Sequence, residues 1–480
     1  MTPRTARSSD ALIVGGTACV IAAGAFATTS SGSRLSLVAL PVAALVPYAM
    51  LAIGDLRRVL LAAIVADVFL QWDINFGYQA APGALGAEAG LNVSLTTFAL
   101  AGLYALWAAE RSRPYNDAPA PVLEPAWPLF AYVGISALSI AAARDPALGV
   151  YYLALLVQTL LAFIYLVSTV RSRADLLFVV TALMVAVAVE GALMLALYVT
   201  GANFDIAGIN TNYPIPGGPS AVGYTRVGGT IGTPNTAAGV LVVLLPLALA
   251  LVVGPSPRFA RMAAAAALAT GVPALVVTGS RGGWGGLIIG CIVLAVVGVT
   301  RGELPTRRVI GAALVAAALA LPLGGLVAAR IKDPAPGSSA SRVSMARLAV
   351  RMIDDRPVLG VGLNNVGVNI GDYAGPEFTR QFVFTIHDKY LLVASESGPF
   401  ALAAFVWFLA ATIANGLRCL RSRDRLAVWI AAGLLSGVIA QMVHMTVDIF
   451  ASRPQVEALW IAAALLAAMA VRLPAPTRER

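Results

Sequence analysis

Apolar runs of membrane-crossing length fill this chain and leave little room for any fold but a helical bundle in lipid. A bilayer core takes roughly 20 apolar residues per helix, and on that ruler there are about fourteen spans. They lie near 11–29, 36–54, 58–73, 91–109, 127–143, 148–170, 174–199, 236–253, 260–278, 283–299, 308–328, 390–416, 426–446 and 455–472. Spans 58–73 and 127–143 are short, which leaves twelve as the alternative count. Soluble domains carry about 25% charged residues; this chain carries 12%. The expected fold is all-α, a polytopic transmembrane bundle of about 12–14 spans.

Arginine accounts for almost all of the formal charge of +9. In a membrane protein that balance marks cytoplasmic loops. No basic run is interleaved with aromatics as a nucleic-acid groove requires, so no nucleic-acid partner is expected. Cys19, Cys291 and Cys419 sit in or beside apolar runs with neither metal spacing nor a disulfide framework. The first run resembles a signal peptide, but its length and the similar runs after it favour a retained helix.

Arginines set the orientation. With the N-terminus inside, the inner segments hold Arg57, Arg58, Arg111, Arg171, Arg258, Arg301, Arg421 and others. The short outer loops hold only Arg34, Arg144, Arg281 and Arg453. Both termini are therefore expected in the cytoplasm.

Two outer loops are long, about 200–235 and 329–389, and loops of that length are usually functional. The chain then divides into helices at 1–199, a loop at 200–235, helices at 236–328, a large loop at 329–389 and helices at 390–480. Four spans separate the loops, so the loops share a side whatever the orientation. The large loop is expected to be partly helical, at 341–355, with Ser341 as its cap and Pro357 after its end. Val343, Ala346, Val350 and Ile353 recur at helical spacing, and Arg347 and Arg351 lie on another face.

Polar chemistry is scarce, so its position matters. The block Thr385-Ile386-His387-Asp388-Lys389-Tyr390 holds one of two histidines and one of two lysines. Neutral imidazole is the side chain best matched to proton abstraction near pH 7, which makes His387 the candidate base. Arg281 lies in the tight turn Ser280-Arg281-Gly282-Gly283, on the same side as both long loops. A guanidinium stays charged and grips phosphate bidentately, so the functional reading is a pyrophosphate clamp. Arg226 follows Gly223-Tyr224-Thr225 and precedes Gly228-Gly229-Thr230, a loop able to aim N–H groups at an anion. Lys389 is a further phosphate contact, and Glu396, two to three turns into the next span, is expected to face a polar cavity or a partner. Arg347 and Arg351 are possible contributors. His444 is read as a bundle hydrogen bond, Asp448 and Arg453 as a pair, and Asn235 as a cap for the span it opens. Glu190 and Asp67 are read as bundle pairs. No acidic pair placed for a metal appears on the outer face, although Asp354-Asp355 lie before a proline in the large loop, and there is no zinc histidine pair or Walker loop, so neither metal nor cofactor is expected.

Three stretches resemble the O-antigen ligase and polymerase superfamily, integral membrane glycosyltransferases of the bacterial envelope. Ser280-Arg281-Gly282-Gly283 is similar to the family's Ser-Arg-Gly turn before a span. Arg347 through Arg356-Pro357-Val358-Leu359-Gly360-Val361-Gly362-Leu363-Asn364-Asn365 is similar to the end of its large periplasmic loop. His387 with Tyr390-Leu391-Leu392 and Glu396-Ser397-Gly398 resembles its His-Asn block leading to Glu-x-Gly. Asp388 stands where Asn is common. Pro399 stands where a helix-compatible residue is usual, which predicts a helix start or kink.

The resemblance implies transfer at the periplasmic face of the inner membrane from an undecaprenyl-pyrophosphate-linked glycan. Lipid A–core is inferred as acceptor from the resemblance alone, with membrane lipids as surroundings. His387 would take the acceptor proton while Arg281 and Arg226 hold pyrophosphate, inverting the anomeric centre. A polymerase using two lipid-linked glycans is the alternative within the family. A transporter is the alternative of another class, expected to carry midplane polar sites.

Overall fold

The computed structural model describes residues 55–113, 118–206, 209–211, 226–301, 338–375 and 384–472, with isolated helical positions between 307 and 328. The first half contains α1 (Leu56–Asp67), α2 (Leu95–Arg111), α3 (Trp127–Ser139), α4 (Pro146–Thr169) and α5 (Arg173–Thr200). Then come α6 (Pro234–Val253), α7 (Arg258–Val277) and α8 (Arg281–Thr300). The last part holds α9 (Ser338–Asp355), α10 (Val366–Tyr373), α11 (Lys389–Cys419), α12 (Arg425–His444) and α13 (Arg453–Arg472). Two short antiparallel hairpins join them, β1 (Asp73–Phe76) with β2 (Leu91–Ser94) and β3 (Asp205–Ile206) with β4 (Ile209–Asn210).

Among the described residues, nine helices are long and apolar enough to cross a membrane. They are α3 with its flanking 3-10 turns (Glu124–Ala142), α4 to α8, and α11 to α13. The chain is an all-α polytopic membrane protein. The expected spans at 11–29 and 36–54 lie outside the described residues, as does most of 308–328. Spans 58–73 and 91–109 are corrected. Helix α1 has 12 residues and α2 has 17; turn and coil lead from α1 to β1 at Asp73, and β2 takes the first residues of the run at 91–109. Asp67 closes α1 because its buried carboxylate is held elsewhere, by the Thr96 amide at 2.8 Å and by Arg453 at 2.9 Å.

Helices α6, α12 and α13 are buried on nearly every face and form the centre of the bundle. Helix α8 docks against them through small residues. Its inward positions are Gly283, Gly286, Gly290, Leu294 and Gly298, while Ile288, Ile292 and Val296 face outward. A Cβ on Gly290 would lie 3.1 Å from the Ala440 Cβ and 3.2 Å from the Ser436 carbonyl, so the glycines let α8 and α12 approach backbone to backbone. That contact fixes where α8 begins, and Arg281 is its first residue.

Helix α9 begins three residues before the expected start, and its buried face differs from the expected one. Val343 and Val350 are exposed, while Met345, Leu348, Ala349 and Met352 are buried. The longer Met and Leu row packs on Val361, Val366, Ile370, Ile386 and Leu392, covering more apolar surface than the valine row offers.

Candidate active site

A broken helix anchors the site. In α11 the Gly398 backbone leaves helical geometry, with φ 79°, and Pro399 follows. Proline has no N–H, so the Ser395 carbonyl loses the partner that a continuous helix would supply four residues on. The Val361 amide takes its place at 2.8 Å, and the Gly362 amide reaches the Glu396 carbonyl at 2.9 Å. Three glycines permit this approach. A Cβ on Gly360 would lie 2.3 Å from the Ser395 oxygen, one on Gly362 2.4 Å from the Ala143 Cα, and one on Gly398 1.9 Å from the Val358 oxygen. The segment 357–366 is thus docked into the break in α11.

Glu396 completes the junction. It is buried, and its carboxylate accepts the backbone N–H groups of Asn364 and Val366 at the start of α10. Asn365, the N-cap there, supplies no side-chain cap of its own. Its side chain instead receives the Asp145 amide at 2.7 Å, and Asn364 bonds the Glu88 carbonyl at 2.8 Å. Lys389 is buried beside Glu396. Its ammonium donates to the Tyr152 hydroxyl at 3.3 Å and lies 5.5 Å from that ring's centre. The structure thus turns Lys389 and Glu396 toward each other and toward the docked loop. Expected as a phosphate contact and a possible substrate contact, they form an internal brace.

His387 stands just before α11. Asp388 caps that helix, accepting the amides of Tyr390 at 2.9 Å and Leu391 at 3.0 Å. The Lys389 amide donates to the Met445 carbonyl at 2.9 Å, tying the block to the end of α12. His387 Nδ1 donates to the Thr385 carbonyl at 3.0 Å. A carbonyl only accepts, so the proton sits on Nδ1 and the lone pair on Nε2. Burial and the nearby Arg342 guanidinium push this imidazole below its ordinary value, against Asp448 and the Thr385 hydrogen bond. The ring is therefore neutral near pH 7.

Arg226 and Arg281 flank the end of α7. Arg226 Nε donates to the Thr278 carbonyl at 2.7 Å, and its Nη2 to Asn235 Oδ1 at 2.7 Å. Thr233, not Asn235, caps α6, through a hydrogen bond from the Thr236 amide; Asn235 holds the arginine. The loop carrying Arg226 is fastened from below by Glu190, whose carboxylate accepts the Thr230 amide at 2.7 Å and hydroxyl at 2.6 Å. Three residues beyond Thr278, Arg281 opens α8, and Ser280 caps that helix through the Gly283 amide at 3.3 Å.

A polar chain joins the two halves. Gln455 donates to Asp448 Oδ2 at 2.7 Å and to the Asn235 carbonyl at 3.3 Å, so Arg226 connects through Asn235 and Gln455 to the carboxylate that faces His387. Gly282 lies against His444, and Asp448 and Arg342 reach that ring as well. His387, Arg226 and Arg281 thus lie at one end of the bundle, where α6, α8, α11 and α13 begin and α7 and α12 end. Arg347 lies apart, exposed on the outer face of α9 with Val343 and Val350, and Arg351 is half-buried one turn on.

Sequence reasoning missed Arg342, Gln455 and the roles of Asn235 and Asp448. Asp448 does not pair with Arg453 as expected. Arg453 is buried against Asp67 at 2.9 Å, Asp73 at 2.8 Å and Glu457 at 3.1 Å. The only available signal was indirect: polar residues in helix-end segments of an otherwise apolar chain.

No curated protein matches the chain. Residues 265–406 match the family model described as O-antigen ligase, a stretch that takes in Arg281, Arg342, the docked loop, His387 and Glu396. Over that stretch the chain is similar to the O-antigen ligase family, which is where its likeness to the O-antigen ligase and polymerase superfamily rests.

Proposed function

We propose that this protein is an O-antigen ligase. It transfers a glycan from undecaprenyl pyrophosphate to a sugar hydroxyl of lipid A–core, without a metal ion and with inversion. The observation carrying this reading is that a neutral imidazole, its Nε2 lone pair unclaimed by the Thr385 bond, lies at the same end of the bundle as Arg226 and Arg281. His387 Nε2 takes the proton of the acceptor hydroxyl as its oxygen attacks the anomeric carbon. The bond from that carbon to the phosphate oxygen breaks, and undecaprenyl pyrophosphate leaves as an anion. Arg226 and Arg281 hold that growing charge, each such preorganised contact contributing about 3 kcal/mol. Asp448 favours the imidazolium that forms at His387. Lys389 and Glu396 keep the docked loop and the start of α11 in register.

In this reading the active end is periplasmic, both termini are cytoplasmic, and the bundle lies in the inner membrane. The arginine distribution supports that orientation. The test is transfer by purified protein from lipid-linked glycan to lipid A–core, with and without chelator. His387→Ala is expected to abolish transfer while keeping the fold and the binding of undecaprenyl pyrophosphate. Transfer at the normal rate by that variant would remove the base. Extension of lipid-linked glycan without lipid A–core would make the protein a polymerase, and loss of activity with chelator would bring in a metal.

A further inference from the structure

His444 is expected from sequence to make a hydrogen bond inside the bundle, and among the described residues its Nδ1 makes none. His444 ends α12 and is 1% exposed. Burying a polar nitrogen unpaired is costly, and such groups call for a ligand or a function. The Cδ2–Nε2 edge of the ring lies against Gly282 in the first turn of α8. A Cβ on Gly282 would sit 2.9 Å from His444 Cδ2 and 3.4 Å from Nε2, so the glycine there makes room for the imidazole. Helix α8 runs for 20 residues, and its opening turn carries the partial positive charge of a helix N-terminus. Ser280 takes up the Gly283 amide of that turn. Arg281 stands on the turn itself, and Arg342 and Asp448 both act on the ring. The surroundings of His444 are thus a helix N-terminus and two guanidinium groups against one carboxylate already engaged by Gln455.

We infer that His444 is a second imidazole of the site, holding a phosphate oxygen of the donor together with the first turn of α8. His387 serves the acceptor hydroxyl; His444 serves the leaving group. The assignment rests on the pyrophosphate donor proposed above and adds the residue that fixes one of its phosphates.

The test is binding of undecaprenyl pyrophosphate, free of glycan, to the full chain in nanodiscs, beside steady-state transfer. His444→Ala is expected to weaken binding about tenfold and to raise the donor KM more than it lowers kcat, as loss of one charge-assisted hydrogen bond does. His444→Gln, which keeps a donor, is expected to recover part of the affinity. Gly282→Ala, which crowds the ring, is expected to weaken donor binding without touching His444 itself. His387→Ala is expected to bind like the wild type. Equal affinity of wild type and a folded His444→Ala overturns the inference. If His444→Ala does not fold, unchanged affinity in His444→Gln and Gly282→Ala overturns it instead. Wild-type protein that fails to bind undecaprenyl pyrophosphate overturns the donor reading beneath it, a different result from equal binding.

Discussion

Gly360→Ala tests whether the docked loop is needed for transfer. Gly360 has φ 66°, a left-handed conformation that costs an alanine about 1 kcal/mol. Its Cβ would stand 2.3 Å from the Ser395 oxygen, closer than any real contact, so the loop must lift. Lifting breaks the bonds from Val361 to Ser395 and from Gly362 to Glu396. The second costs about 1 kcal/mol; the first costs about 2 kcal/mol, because Pro399 cannot close the Ser395 carbonyl from within the helix. Together the docked state loses about 4 kcal/mol, roughly a thousandfold in its population relative to the lifted one. Hydrogen exchange across 357–366 reads this directly, since the Val361 and Gly362 amides are protected only when docked. Transfer is expected to fall in parallel. Gly371→Ala, in α10 with nothing within 4 Å of its added carbon, is the control and is expected to be neutral or slightly stabilising. Wild-type exchange protection and full transfer in Gly360→Ala would refute the argument.

Two further outcomes follow from charge. His387 sits below its ordinary value of 6.5, so kcat/KM is expected to hold near neutral pH and to fall only as pH drops through the depressed value. Because Asp448 raises the ring, Asp448→Asn is expected to move the acid limb to still lower pH; a limb that stays or moves up would separate the two residues. In stability the unfolded chain binds this proton first, below about pH 6.5, so the contribution of His387 is present at neutral pH and lost on acidification. Arg453→Met strands Asp67, Asp73 and Glu457 without their cation, and thermal unfolding in detergent is expected to show a loss of about 3–5 kcal/mol. Glu457→Gln, which leaves two carboxylates on the guanidinium, is expected to cost far less, and an equal loss would contradict the ion cluster.

The membrane bundle was legible because apolar length is a local property, visible one run at a time. His387 and Arg281 stand out in the sequence because polar groups are rare and theirs sit where the chain re-enters apolar helices, one at the end of the large loop and one in a tight turn. Partner choice was not legible. Asp448 and Arg453 are five apart in sequence, yet Arg453 is buried among Asp67, Asp73 and Glu457, and Asp448 is claimed by Gln455. Lys389 looked like a phosphate ligand because it follows His387, but one helical position turns its ammonium inward to Tyr152. Arg342 was hidden in a helix whose buried row, Met345 to Met352, only the tertiary partners decide. The departure at Pro399 pointed correctly to a break in the helix but not to the strand of loop that fills it.

That break has a practical consequence for anyone building chimeras. Ser395 belongs to a helix but is closed by an amide some thirty residues earlier in the chain. Importing a relative's segment at 357–366 leaves an open carbonyl wherever the new backbone takes another path. Importing an unbroken helix at 389–419 leaves the native segment with no berth. The two pieces are interchangeable only as a set.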